Sequence, residues 1–132
     1  MLFQKFFVYH TYYLIIKENH FTLRLLETKQ EYRKTAEEVM SSKSLLVSNL
    51  SYAKKLLQEC SGLLTQGFSF TKPLIIIHPT KILKKELTAV EIKLYEELAT
   101  AIKARKVLFH LGAELSFKEI QDLVDKEDGL YL

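Results

Sequence analysis

Chemistry needs reactive side chains held close together, and this 132-residue chain offers few that its spacing would gather. The four histidines, His10, His20, His78 and His110, are too scattered to share a helix face, and Cys60 is the single cysteine. A structural zinc site draws on Cys and His in recognisable spacings, so no metal site is expected. Cys60 falls between Leu57 and Leu64 at helical spacing, where a thiol acts as a small buried hydrophobe rather than a nucleophile. Gly62, Gly67, Gly112 and Gly129 stand singly, which leaves no glycine-rich phosphate loop, and no cofactor is expected. The neighbours Glu37/Glu38 and Glu96/Glu97 point apart on a helix and read as solvated faces, not acid–base dyads. With no nucleophile or base held by a third group, the chain does not read as an enzyme.

Arg105 and His110 stand at an R-x-x-x-x-H spacing that resembles the motif of HEPN ribonucleases. That family is all-helical and favours a polar amide where this chain has Lys106; the present chain opens with strand-like sequence, and no role is carried over. The basic residues themselves raise a second possibility. Lys81, Lys84 and Lys85 precede the second helix, and Lys103, Arg105 and Lys106 follow it, a set that would grip phosphates while nearby rings stack on bases. Against nucleic acid stand the net charge of only +3 and an acidic final segment. Positive charge at a helix carboxyl end is also favoured for its own sake.

The elements that must position these groups follow from local signals. Three capping boxes, Thr28 with Glu31, Thr88 with Glu91 and Ser116 with Glu119, mark helix starts. From Thr28 a long helix is expected over 28–66. Its apolar positions Tyr32, Ala36, Val39, Leu46, Leu50, Ala53, Leu57, Cys60 and Leu64 form one narrow seam built to lie along another helix. The weak point is SSKS at 41–44, where a break would give a helical hairpin. A second helix is expected over 88–106 and a short third over 116–127. The aromatic stretch FFVYHTYYLII is rich in residues that suit a pleated surface, and with the turn KENH and the alternating FTLRLLE it reads as a β-hairpin within 1–27. LIII, bracketed by prolines, predicts a strand over 73–78 covered on both faces, and VLFHL at 107–111 is a possible fourth.

The fold class is therefore α+β, in a single domain over 1–132: an N-terminal hairpin and one or two further short strands, packed with a long helix or helical hairpin, a second long helix and a short C-terminal helix. An apolar content of 48% and a charged content of 27% are those of an ordinary globular chain. One cysteine points to a reducing, cytoplasmic setting, no apolar run is long enough to span a membrane, and the interrupted N-terminus is read as mature structure rather than a secretion signal. The function expected is non-enzymatic: an assembly subunit that self-associates or docks another protein through the seam residues Val39, Leu46, Leu50, Leu57 and Leu64 and the hairpin aromatics Phe7 and Tyr9. The alternative is a small nucleic-acid accessory protein using the two basic clusters.

Overall fold

The computed structural model describes residues 10–43, 45–65, 72–80 and 86–128. Among the described residues, five strands and three α-helices follow one another as β1 (Thr11–Lys17), β2 (His20–Leu25), β3 (Gln30–Thr35), α1 (Leu50–Thr65), β4 (Leu74–Pro79), α2 (Ala89–Ala99), β5 (Lys106–Phe109) and α3 (Phe117–Asp128). A 3₁₀ turn, Thr100–Ile102, extends α2. The strands form one mixed sheet in the order β3-β2-β1-β4-β5. β1, β2 and β3 make an antiparallel meander, while β4 runs parallel to β1 and β5 parallel to β4. The α+β class read from the sequence is the one observed.

The hairpin turns at Asn19, whose φ of 51° is a left-handed conformation that asparagine tolerates. Side chains then alternate between two cores. Tyr12, Leu14, Ile16, Phe21, Leu23 and Leu25, with Ile75 and Ile77, face α1 and α2. Tyr13 and Ile15, with Leu74 and Ile76, face Leu115, Ile120 and Val124 on and before α3. The two-sided apolar character of YYLII and LIII is thus met within the chain by helices on both sides of the sheet.

The helix expected over 28–66 is much shorter, and its first part is not helical. Thr28 caps nothing: its hydroxyl donates to Gln30 Oε1 at 3.1 Å and accepts from the Gln30 amide at 3.3 Å. With Lys29 at φ 58°, this makes a turn that sends Gln30–Thr35 back along β2. The physical reason is the free edge of β2, whose backbone groups gain a full ladder of partners from the pairing, a long-range gain that outweighs a local helix signal. Residues 36–43 and 45–49 form loop, and helix begins only after Asn49, whose side chain accepts from the Tyr52 amide at 3.2 Å. The capping boxes at Thr88 and Ser116 do start helices α2 and α3. The helix expected over 88–106 stops short because Lys103 adopts φ 53° and the chain turns into β5.

Candidate functional site

Among the described residues, those of the predicted interface do not share a surface. Leu57 is fully buried, Leu46 and Leu64 lie in the same core, and Leu50 packs against it. Val39 is 73% exposed, and it sits in the loop before α1 rather than on a helix. A seam was legible because seven-residue spacing marks any helix face that meets apolar neighbours; here the neighbours are the chain's own sheet and α2. Phe7 and Tyr9 lie outside the described residues. So do Lys81, Lys84 and Lys85, although Thr80 and Glu86, which bracket them, fall at the carboxyl end of β4 and the start of α2. Lys103 and Arg105 are exposed and lead into the amino end of β5, and Lys106 pairs with Glu127 of α3 at 3.0 Å. Because β4 and β5 are parallel, the described residues flanking the first cluster and those of the second stand at opposite ends of the sheet. Arg105 and His110 are likewise divided by the length of β5.

The densest polar arrangement was not singled out by the sequence reading. Tyr13 of β1 and His78 of β4 meet under the segment that leads into α3, with Tyr13 Oη 2.5 Å from His78 Nδ1. His78 Nε2 lies 2.9 Å from the Gly112 carbonyl oxygen, and the Leu115 amide donates to Tyr13 Oη at 3.0 Å. A carbonyl oxygen only accepts, so Nε2 carries the proton and Nδ1 accepts from the tyrosine. Each ring nitrogen then has one fitting partner, and the tyrosine oxygen donates one hydrogen bond and accepts one. Burial lowers the His78 pKa, the His110 ring works in the same direction, and burial raises the Tyr13 phenol. Both groups are neutral at physiological pH. The His110 ring packs edge-on against His78 at 4.8 Å between centroids, with its Nε2 2.6 Å from the Ala113 carbonyl oxygen.

Arg24 of β2 closes this junction from the side. Its guanidinium bonds Glu31 of β3 at 2.7 Å, Glu114 at 3.0 Å and the Leu115 carbonyl at 3.3 Å, and its Cζ stands 5.9 Å and 6.0 Å from the ring centroids of Tyr13 and Phe117. Burial opposes its charge, and the two carboxylates more than offset that. Chemically, the junction fastens the 110–117 segment to the sheet. His78 is only 3% exposed, and both its ring nitrogens are taken up by partners within the fold.

At the carboxyl ends of parallel strands, where α/β sheets commonly hold ligands, the chain fills the space beyond β1 itself. Asn19 Oδ1 accepts from the Met40 and Ser41 amides, each at 2.8 Å, the Ser41 hydroxyl accepts from the Asn19 amide at 2.8 Å, and that hydroxyl donates to the Leu46 carbonyl. Cys60 is buried, and burial pushes its thiol up to about 12, which keeps it protonated. Among the described residues no group of His, Cys, Asp and Glu is arranged to hold a metal ion. No described helix is long and apolar enough to cross a membrane.

The two edges of the sheet differ in kind. β3 presents QEYRKT, with Gln30, Glu31, Arg33 and Lys34 along it. β5 presents KVLF, and its Val107, Leu108 and Phe109 are only half-buried. Among the described residues no strand pairs with the outer edge of either. Neither a known protein family nor a curated protein matches this sequence.

Proposed function

We propose that this protein is a non-catalytic assembly subunit that pairs with a second copy of itself along the outer edge of β5. The observation that carries the reading is the contrast between the two edges. Charged side chains are a standard guard against strand addition, and β3 has them while the apolar half of β5 does not. The β5 strand is also self-complementary. In an antiparallel two-fold pairing centred on Leu108, Leu108 stands opposite its own copy, and Val107 stands opposite Phe109 on the other face. Half-buried apolar side chains on both faces would then cover one another, and the two sheets would run on as one.

The satisfied interior supports a role without catalysis: Cys60, Tyr13 and His78 are all committed within the fold. A reducing compartment such as the cytoplasm suits a lone buried thiol. Nucleic-acid binding is the less favoured reading, since Lys106 of its second basic cluster is paired with Glu127 of α3.

Sedimentation at micromolar concentration is expected to give a dimer, and a Leu108→Cys variant should form an intermolecular disulfide under mild oxidation, because the paired Cβ atoms would lie about 5 Å apart. Buried Cys60 does not compete. A monomer with no cross-link overturns the assembly reading. A dimer in which Leu108→Cys fails to cross-link overturns β5 as the interface.

A further inference from the structure

We infer that the Tyr13–His78 pair is an acid-sensitive latch, which holds α3 on the sheet while His78 is neutral and lets it undock when His78 takes up a proton. The inference rests on geometry. His78 Nε2 already donates to the Gly112 carbonyl, so the only site for a second proton is Nδ1, which faces Tyr13 Oη at 2.5 Å. That oxygen already accepts from the Leu115 amide. A proton on Nδ1 reverses the bond, and the tyrosine hydroxyl hydrogen loses the acceptor it has in a buried place. The bond that is reversed shares its tyrosine oxygen with the Leu115 amide, on the segment that leads directly into α3, while the Gly112 carbonyl keeps its bond to Nε2.

The charged and titratable groups around His78 are Tyr13 from β1, Arg24 from β2 with Glu31 of β3 behind it, His110 and Glu114 from the segment after β5, and Glu119 in the first turn of α3. Burial is the largest influence and disfavours a charged His78; the Gly112 carbonyl and Glu114 favour it, His110 opposes it, and the net direction is a lowered pKa. The sign follows from linkage. An undocked α3 leaves His78 in water, where it binds a proton below about pH 6.5, while the docked state resists that proton. Docking is at full strength above about pH 6.5 and weakens as pH falls toward the lower docked value. The carboxylates titrate around pH 4 in ordinary surroundings, so a window above about pH 5 separates histidines from carboxylates, and the His78→Gln variant separates His78 from the other three.

The test is amide hydrogen exchange on the full chain between about pH 7.5 and about pH 5, corrected for the intrinsic pH dependence of exchange. Opening of the α3 segment is expected to rise several-fold on acidification while α1 and β1 stay protected. His78→Gln, which donates and accepts but does not titrate in this range, should abolish that rise. Carbon shifts of the His78 ring in the unaltered protein give an independent readout and should show the Nε2–H tautomer at neutral pH. An Nδ1–H tautomer, a rise that persists in His78→Gln, or α3 opening only together with α1 and β1 would each overturn the latch.

Discussion

At the scale of single residues, Arg24 ties together parts of the chain that are far apart in sequence. Its side chain is only 14% exposed, and the forked guanidinium satisfies two carboxylates and a backbone carbonyl at once. Replacing it with methionine keeps the stem's packing but leaves the Leu115 carbonyl and Glu114 unpaired, at a cost of about 1–3 kcal/mol. Lysine should recover only part of this, because an ammonium cannot make the forked contacts. Urea titration of both variants checks the order. Glu31 adds a pH signature: burial pulls its pKa up, but Arg24 and Arg33 hold it below the usual carboxylate range. Its stabilising contribution is present above about pH 4.3 and disappears as pH falls through the lower folded value, so the acid limb of stability should be shallower in the methionine variant. None of this was legible in FTLRLLE, where Arg24 reads as an outward polar position. Its importance comes from register, which sets it opposite Tyr13 on one side and Glu31 on the other.

Among the elements, the signals that succeeded are those decided locally. Thr88 and Ser116 start helices because cap and third residue satisfy each other without help from elsewhere. Asn19 turns the first hairpin, and LIII forms a strand buried on both faces for the reason its composition implied. Thr28 failed because the same residue types also serve a tight turn, and the choice between turn and cap was made by the unpaired edge of β2. Helix ends were legible only where a glycine or proline marks them, and α2 ends instead at a lysine in a left-handed conformation. That backbone shape costs a residue with a Cβ on the order of 1 kcal/mol. Lys103→Gly should therefore raise stability by up to about 1 kcal/mol, seen as a higher denaturation midpoint. Loss of stability in that variant would mean that the lysine side chain makes a contact worth more than the strain.

Taken whole, the molecule places a sheet between helices on both faces, and this arrangement explains why a rod-like seam was expected and not found. Apolar residues spaced for one face of a helix specify that a face is covered and leave open what covers it. Here Ala53, Leu57, Cys60 and Leu64 share one core with side chains of β1, β2 and β4 and with Tyr95, Leu98 and Ala99 of α2, so the sheet and a second helix of the same chain cover the face together. Leu57 is thus a core residue, and Leu57→Ala should cost about 3 kcal/mol and lower the thermal midpoint without changing the oligomeric state. A change of assembly in that variant, with the fold intact, would return the interface to the helix.

The central strand also fixes an order of events during synthesis. Tyr12 takes Leu25 as its neighbour on one side and Ile75 on the other, so one flank of β1 is satisfied early and the second only after β4 has been made. At about 5–20 residues per second, a ribosome leaves that flank open for several seconds. During that interval the nascent meander carries an unpaired, apolar strand, the kind of segment that chaperones capture, and the rate at which the later half arrives governs how much of the chain escapes aggregation.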